Sequence, residues 1–349
     1  MSAILPRVAI IGASGAVGTE LIACLEQRGF ALRELRLFAS ERSAGRRVRY
    51  ANEWLPIEAL REDLLSSSDI ALFCAGASRS RQFAPQVVRT GGVVIDNSSA
   101  FRMHADVPLV VPEVNADTIQ GHRGLIANPN CVAIIAVVPL WPLHREFQLR
   151  RVIAATYQAA SGAGAAAMEE LRQATRASLA DEAYPPRVLR HPYAFNLFSH
   201  DTSVDAASGS NEEEIKVARE LRKIMQLPQL PVSVTCIRVP VLRAHAIALT
   251  VEFERVLSAD AARELLAHAP GVRLVDHVER NHFPMPIEAS GQGDVLVGRI
   301  RQDSSDPSGH SLSLFIAGDQ LLKGAALNAI QIAEQLRADQ SFTPSASCG

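Results

Sequence analysis

One cysteine of the chain stands in a setting that favours a nucleophilic thiolate. Cys131 follows the turn-forming residues 128–130, Asn-Pro-Asn, and precedes an apolar run at 132–138. This pattern predicts a turn that leads into a buried helix, with Cys131 at the helix N-terminus. The positive end of the helix dipole lowers the pKa of a thiol there, so the thiolate is populated near neutral pH. An inert buried cysteine is an equally good interpretation of the residues alone.

A candidate for proton chemistry is His245. The segment 238–245 predicts a strand that ends near Pro240, followed by a polar loop that carries His245. Histidine titrates near neutral pH and can both accept and donate a proton. The chain has 10 histidines, and a histidine taken at random is more often structural or solvent-exposed. The residues alone therefore do not place His245 beside Cys131.

A glycine-rich turn near the N-terminus predicts a nucleotide site. Residues 12–18 are Gly-Ala-Ser-Gly-Ala-Val-Gly, after an apolar strand and before a helix. Glycines let the backbone turn tightly and approach a pyrophosphate, whose charge lies at the helix N-terminus. A tight turn without a ligand is the alternative, but the strand–turn–helix context favours nucleotide binding. The residues expected to contact the cofactor here are Gly12, Ser14, Gly15, Ala16 and Val17.

The end of the second predicted strand favours NADP over NAD. NAD-dependent enzymes place an acid there to bind the ribose hydroxyls, whereas this chain has Ala39. Ser40, Arg42 and Ser43 follow and can donate hydrogen bonds to a 2′-phosphate. Glu41 is expected to point away from the cofactor. A solvated basic loop is the alternative interpretation.

Strand and helix patterns change character near residue 130. Before it, short apolar strands alternate with helices, which predicts an α/β Rossmann-like dinucleotide-binding domain with a parallel sheet covered on both faces. After it, long strands with few helices predict an α+β domain on a mostly antiparallel sheet. The predicted strands are 8–11, 35–38, 70–74, 93–95, 151–158, 232–238, 246–255, 295–301 and 311–317, and the later predicted helices are 165–180, 212–225 and 322–336.

These patterns set the expected domain bounds. The dinucleotide-binding domain is expected at 1–130, completed by the helix at 322–336, and the catalytic and dimerisation domain at 131–321. Residues 181–210, rich in Pro, Ser and His, are expected to form a long irregular excursion. The polar residues 338–349 are expected to form a disordered tail.

Length and charge exclude several classes of protein. The chain has 349 residues, enough for two cores, and 35 basic against 37 acidic residues give a net charge of −2. We expect no nucleic-acid partner, because such binding needs a concentrated basic face. No metal site is expected from the spacing of cysteines and histidines. The apolar run 132–143 is too short to span a membrane and Pro139 is expected to interrupt its helix, so the chain is expected to be cytoplasmic with no membrane partner.

Six segments in sequence order resemble the bacterial aspartate-semialdehyde dehydrogenases. The similarity covers roughly residues 7–336. The segments are 96–102 with 111–115, 128–131, 156–164, 212–216, 238–245 and 323–328. The resemblance implies NADPH-dependent reduction of the small-molecule substrate L-β-aspartyl phosphate to L-aspartate-β-semialdehyde, with release of phosphate, in lysine, methionine and threonine biosynthesis. It also implies a homodimer, or a tetramer of dimers, formed through the sheet of the second domain.

The resemblance assigns a role to each matched residue. Cys131 would form a thioester, His245 would act as acid and base, and Gln158 would orient the substrate or the attacking group. The remaining substrate contacts would be Arg102 and Lys216 for phosphate, Arg238 and Glu213 for the α-carboxylate and α-ammonium, with Asn130 and Ser161. The remaining cofactor contacts would be Gly162 and Asn328, the latter at the nicotinamide part.

Each of these roles has a structural alternative. Glu213 and Lys216 could be an ordinary helical surface pair, Arg102 an exposed loop charge, and Gln158 a side chain that satisfies the backbone at a strand end. Two positions depart from the family pattern, because Val132 and Ala246 stand where small polar residues are common. These departures keep open a non-catalytic NADP-binding paralogue. Another acyl-phosphate reductase, such as N-acetyl-glutamyl-phosphate reductase, is the second alternative, although that family usually has glycine where this chain has Asn130.

Overall fold

The computed structural model describes residues 5–65 and 67–338, which form two compact units. The first unit contains the chain up to Asn130 together with the part from Ala325 onward, and the second contains Cys131–Gly324. The tail expected to be disordered lies outside the described residues, except for Ala338.

The first unit is built on a seven-stranded sheet in the order β3-β4-β2-β1-β5-β6-β7. All neighbouring strands are parallel except the edge pair β3–β4. The elements are β1 (Arg7–Ile11), α1 (Ala16–Gln27), β2 (Glu34–Ala39), β3 (Arg47–Tyr50), β4 (Glu53–Ala59), β5 (Ile70–Phe73), α2 (Ala77–Arg89), β6 (Val93–Asp96), α3 (Pro112–Asn115) and β7 (Leu125–Ala127). The parallel core confirms the predicted Rossmann-like architecture. The polar hairpin β3–β4 was not expected, because it lacks the apolar runs that identify the central strands.

The turn from β1 into α1 depends on two close backbone contacts. Gly12 has a φ of 102°, and a Cβ on it would lie 2.9 Å from the carbonyl carbon of Cys74. A Cβ on Gly18 would lie 2.3 Å from the carbonyl oxygen of Gly12. Both positions therefore require glycine, since any side chain would push α1 away from β1 and β5.

The second unit contains a mixed seven-stranded sheet in the order β12-β13-β14-β11-β8-β10-β9. Its neighbouring pairs are antiparallel except β8–β10 and β12–β13, in agreement with the mostly antiparallel prediction. The elements are α4 (Cys131–Phe147), β8 (Leu149–Gln158), α5 (Ala165–Leu179), β9 (Phe198–Ser199), α6 (Glu212–Ile224), β10 (Val232–Arg238), β11 (His245–Phe253), α7 (Ala259–Ala267), β12 (Val272–Leu274), α8 (Pro286–Ala289), β13 (Val295–Gln302) and β14 (Ser311–Gly318).

Helix α4 covers one face of this sheet and contacts β8, β11, β13 and β14. The expectation that Pro139 interrupts the helix is wrong, because α4 continues through Pro139 and Pro142 to Phe147. A proline inside a helix removes one hydrogen bond and costs about 3 kcal/mol. The burial of ten α4 side chains offsets that cost, since each large apolar side chain contributes about 1.5–3 kcal/mol.

The excursion at 181–210 is irregular, as predicted, apart from one short strand. Strand β9 pairs with the end of β10, at Ile237 and Arg238. The excursion begins on a buried anchor, since the Glu170 carboxylate accepts hydrogen bonds from the three backbone N–H groups of residues 187–189. The Tyr193 hydroxyl donates to the Val239 carbonyl at 2.6 Å. These contacts hold the excursion against α5 and against the end of β10.

The C-terminal segment differs from the single helix predicted at 322–336. A π-helical turn, Leu322–Ala326, precedes α9 (Leu327–Ala338). Within the first unit, α9 packs against α1, α3 and β6. The π turn contains Gly324, where an added Cβ would lie 2.9 Å from the Cβ of Cys131. An irregular turn and the absence of a side chain let the backbone pass this close to the cysteine.

The described residues contain neither a helix fit to span a membrane nor a side-chain cluster fit to hold a metal ion. Over 5–65 and 67–338, no helix combines the length and apolar character that a membrane span needs. The same residues contain no group of three or more His, Cys, Asp or Glu side chains arranged to hold a metal ion.

Candidate functional site

The first unit contains an open cleft of about 610 Å³ at the carboxyl ends of its central strands. Its lining residues are Gly12, Ser14, Gly15, Ala39, Ser40, Glu41, Arg42, Leu60, Cys74, Ala75 and Arg79. The glycine turn leads into α1, and no side chain caps that helix. A helix N-terminus with uncapped backbone N–H groups beside glycines is the arrangement that binds a dinucleotide pyrophosphate. The residues present therefore fit a nicotinamide dinucleotide.

Five of the ten predicted cofactor residues line this cleft, namely Gly12, Ser14, Gly15, Ser40 and Arg42. Ala16 and Val17 lie in the first turn of α1 and are not among the lining residues. Ser43 is buried, and its backbone N–H donates to the Ser40 carbonyl. Glu41 lines the cleft, and its expected orientation away from the cofactor stays a prediction. Glu41 begins a short 3-10 turn after β2, which brings it to the cleft edge together with its neighbours.

Two arginines flank the glycine turn from opposite sides. Arg42 follows β2 and Arg79 lies in the first turn of α2 after β5, and both strands are neighbours of β1. Arg79 donates only a long 3.4 Å hydrogen bond, to Gln82. Within the described part of the chain, neither guanidinium forms a salt bridge. Sequence reasoning missed Arg79, because its place beside the cleft depends on how the sheet brings β5 next to β1.

A buried polar cluster in the first unit surrounds Arg102. The Arg102 side chain donates to the main-chain carbonyls of Asn128, at 2.9 Å, and Asn97, at 2.7 Å. Asn328 donates to the Asn128 side chain at 2.7 Å and to the Val110 carbonyl at 2.9 Å. Arg102 and Asn328 are both buried, so Arg102 is not an exposed loop charge. Their predicted contacts with phosphate and with the nicotinamide stay predictions.

Cys131 is the first residue of α4, which confirms its predicted place at a helix N-terminus. It is half-buried, and no acidic residue lies in the first turn of α4. Asn130 is buried immediately before it.

Gln320 connects the surroundings of Cys131 to two other predicted site residues. A Cβ added to Gly324 would lie 3.3 Å from the Cβ of Gln320 and 2.9 Å from the Cβ of Cys131. Both side chains therefore border the same glycine. The Gln320 side chain donates to the Ser161 hydroxyl and accepts from the Ala244 backbone N–H, next to His245. Gln320 was not predicted, because an isolated glutamine before a helix carries no recognisable pattern.

The guanidinium of Arg238 is almost fully buried at the end of β10. It donates to the Ala159 carbonyl at 3.1 Å, to the His200 Nε2 atom at 2.7 Å and to the Asp201 carboxylate at 3.3 Å. Its Nε atom has no partner among the described residues. Because an arginine can only donate, the Nε2 atom of His200 accepts and the proton of neutral His200 lies on Nδ1, 3.3 Å from the Thr202 hydroxyl. Burial, and next the Arg238 charge, lower the pKa of His200.

His245 begins strand β11 and is fully buried. The expectation that it lies in a polar loop is wrong, because the loop ends at Ala244 and the first three residues of β11 are all buried. Its Nδ1 atom accepts a hydrogen bond from the Ala159 backbone N–H at 3.0 Å. Burial, followed by the charge of Arg238, lowers the pKa of His245 well below its ordinary value.

Gln158 and Glu213 form a second buried pair beside this group. The Gln158 side chain accepts from the Thr156 hydroxyl at 3.0 Å and donates to the Glu213 carboxylate at 3.2 Å. Gln158 therefore does not serve the backbone, which was its structural alternative. Lys216 instead forms a salt bridge with Glu212 at 2.9 Å, one helical turn away.

Gly162 lies close to the ring of His245 and to the guanidinium of Arg238. A Cβ on Gly162 would lie 3.0 Å from His245 Cε1, 3.1 Å from His245 Nε2 and 3.2 Å from an Arg238 terminal nitrogen. The structure thus brings together six predicted residues in the second unit: Gln158, Ser161, Gly162, Glu213, Arg238 and His245. His200 and Asp201 join them unexpectedly, and the only sequence pattern that could have indicated them is a His-Asp pair in the histidine-containing excursion.

These two units define a class of protein, the dehydrogenases that combine a Rossmann-like dinucleotide-binding domain with an α+β domain. Residues 7–122 match the family model of the semialdehyde dehydrogenase NAD binding domain. Residues 140–323 match the model of the semialdehyde dehydrogenase dimerisation domain. The chain belongs to the aspartate-semialdehyde dehydrogenase family.

Individual relatives agree with this assignment. The aspartate-semialdehyde dehydrogenase of Synechocystis sp. is 49% identical over 95% of this chain and 97% of its own length. The crystal structure of aspartate semialdehyde dehydrogenase II from Vibrio cholerae has a TM-score of 0.93 and 38% identity, over 96% of this chain and 99% of that one. A second structure of the Vibrio cholerae protein, complexed with ASA, has the same TM-score and identity and covers 97% of this chain and 100% of its own.

Alkylation rates should separate Cys131 from the other described cysteines. Burial raises the pKa of the Cys74 thiol to about 12, and burial raises the pKa of Cys236 as well. Thiolates at these positions are therefore rare at pH 8. Cys131 lies at a helix N-terminus, which favours its thiolate. We expect iodoacetamide to modify Cys131 at least about tenfold faster than Cys74 or Cys236, measured by peptide mass spectrometry in a Cys348→Ser background. Equal rates at Cys131 and Cys74 would show that Cys131 is an ordinary buried thiol.

Proposed function

We propose that the chain catalyses the NADPH-dependent reduction of L-β-aspartyl phosphate to L-aspartate-β-semialdehyde and phosphate, through a thioester on Cys131. The named relatives and the ligand of the Vibrio cholerae complex support this substrate. The observation that carries the proposal is the position of Cys131 at the N-terminus of α4, in the unit that also contains the buried Arg238, His245 and Gln158 group. We propose that the semialdehyde product serves lysine, methionine and threonine biosynthesis and that the protein is cytoplasmic.

The first chemical step belongs to Cys131. Its thiolate attacks the acyl carbon of the substrate, a C–S bond forms, and the C–O bond to phosphate breaks with its electron pair leaving on phosphate. Phosphate is already a good leaving group, and Arg102 and Lys216 are the proposed cations that offset its charge. For Lys216 this role requires that it exchange its salt bridge with Glu212 for the phosphate.

Substrate recognition is proposed for the buried group of the second unit. Arg238 offers its unpartnered Nε atom to the α-carboxylate, since guanidinium groups bind carboxylates with directed hydrogen bonds. Glu213, with Gln158 on one of its oxygens, is the proposed partner of the α-ammonium. Asn130 and Ser161 are the remaining proposed substrate contacts.

Reduction follows on the thioester. NADPH supplies the hydride. The thioester on Cys131 accepts a hydride more readily than a carboxylate, because sulfur donates little electron density into the carbonyl group. The C–S bond then breaks, which releases the aldehyde and restores the Cys131 thiolate. Gln158 is the side chain proposed to orient the reacting group, and His245 is proposed to manage its proton as acid and base.

The test runs the reaction in its oxidative direction. Purified protein with L-aspartate-β-semialdehyde, NADP and phosphate should form NADPH, measured by absorbance, and formation should depend on phosphate. We expect Cys131→Ala to lower kcat by roughly 10³-fold or more, because the covalent intermediate is lost. Cys236→Ala is the matched control and should keep most of the activity.

Two results would contradict this function. Absence of turnover by folded, NADP-binding protein would favour a non-catalytic paralogue. Turnover with N-acetyl-glutamate semialdehyde in place of the aspartate compound would favour the other acyl-phosphate reductase.

We further propose that the dinucleotide is NADP and that Arg79 assists Arg42 in selecting it. Both guanidinium groups line the cleft and neither forms a salt bridge among the described residues, while Glu41 is the single acid of the cleft wall. The excess positive charge favours the additional phosphate of NADP over the bare ribose of NAD. Ser40 is a proposed additional donor, and Ser43, which is buried, is proposed to support the turn on which Arg42 lies.

Binding of nucleotide fragments tests the selection without any turnover. Arg42→Ala and Arg79→Ala should each weaken 2′,5′-ADP by roughly tenfold or more in calorimetry, because each removes a charge-assisted hydrogen bond worth about 1.5–3 kcal/mol. Neither variant should change the affinity for 5′-ADP by as much. Arg81→Ala, an exposed arginine on the same helix that does not line the cleft, is the control. Equal losses for both ligands would mean that Arg79 contacts the adenine instead.

We also propose that the chain forms a homodimer, or a tetramer of dimers, through the sheet of the second unit. One face of that sheet is covered by α4, and on the other face Ile153, Tyr157 and Phe315 remain partly exposed. An apolar depression of about 350 Å³ that includes Phe315, Phe283 and Met285 lies on the same unit. An exposed apolar sheet face of this kind is typical of a protein–protein interface, and the matching family model is a dimerisation domain.

A charge placed on this face should weaken the association. Ile153 is 41% exposed. The Ile153→Asp substitution would place an unpaired carboxylate in the interface. We expect the dimer dissociation constant to rise at least about tenfold, measured by sedimentation equilibrium. Val256→Asp, at an exposed apolar residue in the loop after β11, is the control. An unchanged association in Ile153→Asp would place the interface elsewhere.

A further inference from the structure

One edge of the Arg238 guanidinium is only partly used by the protein. In an arginine the Nε–H lies parallel to one N–H of Nη2, and together they can bind both oxygens of a carboxylate. In Arg238 the Nη2 group already donates to His200 and to Asp201, whereas the buried Nε atom has no partner among the described residues. A ligand carboxylate can therefore bind this edge at both nitrogens only if one acceptor of Nη2 leaves.

The two acceptors of Nη2 are held unequally. The Nε2 atom of His200 lies 2.7 Å from Nη2, and the His200 backbone N–H donates to the Cys236 carbonyl at 2.8 Å. The Asp201 carboxylate lies 3.3 Å from Nη2, longer than the roughly 2.7–2.9 Å of a well-formed hydrogen bond between charged groups. The Asp201 side chain is 20% exposed and that of His200 is 9% exposed. Asp201 is therefore the acceptor that can leave, by rotation of its side chain toward solvent.

The backbone that carries Asp201 is fixed on both sides of it. Before it, the Tyr193 hydroxyl donates to the Val239 carbonyl, next to Arg238. After it, the backbone N–H of Glu213 donates to the Thr202 hydroxyl at 3.3 Å. The departure of Asp201 thus involves one side chain, and its tethered carboxylate lies close enough to return when a ligand leaves.

Charge makes Asp201 and a ligand carboxylate alternatives to each other. Arg238 is 3% exposed, and in the described part of the chain Asp201 is the carboxylate that forms an ion pair with it. Burial, and next the Arg238 charge, lower the pKa of His200, so this ring adds no charge at neutral pH. Two carboxylates on one guanidinium repel each other, whereas exchange of one for the other keeps the buried charge paired.

We propose, building on the contact between Arg238 and the substrate α-carboxylate proposed above, that Asp201 is an intramolecular competitor for this contact. The ligand carboxylate takes Nε and Nη2 together, Asp201 turns away, and His200 keeps its hydrogen bond. Asp201 pairs the buried charge between turnovers, and its return to Nη2 assists the departure of a product that has the same carboxylate. Asp201 therefore lowers the affinity for α-carboxylate ligands and acts through Arg238.

Binding of L-2-aminobutyrate tests this competition without any turnover. This amino acid has the α-carboxylate and α-ammonium of the proposed substrate and no group that reacts with Cys131. Asp201→Asn keeps the shape of the side chain and removes its charge. We expect the dissociation constant measured by calorimetry to fall about three- to tenfold, because a competing ion pair is lost. L-2-aminobutyramide, in which an amide replaces the carboxylate, should show no such gain.

Asp181→Asn is the matched control. Asp181 is exposed, lies at the start of the same excursion and has a φ of 57°, a conformation that asparagine also tolerates. This variant removes the same charge far from the contacts of Arg238 and should bind L-2-aminobutyrate as the wild type does.

The direction of the change separates a competitor from a structural support. If Asp201 only holds Arg238 in position, Asp201→Asn would weaken the binding of L-2-aminobutyrate. That result, or an unchanged affinity, would overturn the proposal. Wild-type protein that does not bind L-2-aminobutyrate, or binds its amide equally well, would contradict the Arg238 contact and the proposal together, while NADPH formation decides separately whether the proposed reaction occurs.

Thermal unfolding gives a second readout that does not depend on calorimetry. Asp201→Asn should have a lower Tm than the wild type, because Arg238 loses its paired carboxylate while it stays buried. Saturating L-2-aminobutyrate should raise the Tm of the variant more than that of the wild type, because the ligand then replaces the missing charge and binds more tightly. A smaller increase in the variant would overturn the proposal.

Discussion

Arg238 carries a positive charge at a position where its side chain is only 3% exposed, and much of the second unit is arranged to satisfy it. A buried guanidinium must be paired or hydrogen-bonded, because removal from water is otherwise too costly. The parallel pairing of β8 and β10 sets Arg238 opposite Gln158, which brings the Ala159 carbonyl within reach. Strand β9 then turns the excursion back along β10, so that His200 and Asp201 supply the remaining acceptors.

The same charge determines the state of the histidines around it. A cation within a few ångströms in a poorly solvated site opposes protonation, and both His200 and His245 have lowered pKa values with Arg238 as the next cause after burial. Their hydrogen bonds leave the proton on Nδ1 of His200 and on Nε2 of His245. The site therefore contains one fixed positive charge and two neutral rings.

Local patterns in the sequence determined the framework of both units. The apolar runs predicted the central strands of both sheets, because a buried strand needs apolar side chains whatever its neighbours are. The glycine turn at 12–18 predicted the entrance to α1, since the φ of Gly12 and the contact of Gly18 exclude side chains there. The Asn-Pro-Asn turn placed Cys131 at the start of α4. Each of these features depends on residues that are close together in the chain.

The tertiary structure alone decided how the site is assembled. His245 was predicted in a loop and lies fully buried in β11, and Pro139 was predicted to interrupt a helix that continues through it. Arg79 and the His200–Asp201 pair were not predicted at all. The surroundings of His245 and His200 depend on contacts between residues 86 and 38 positions apart, and the continuity of α4 depends on burial that outweighs local preference. The sequence by itself therefore determined which residue types and elements are present, whereas long-range packing determined which side chains meet and hence their charge states.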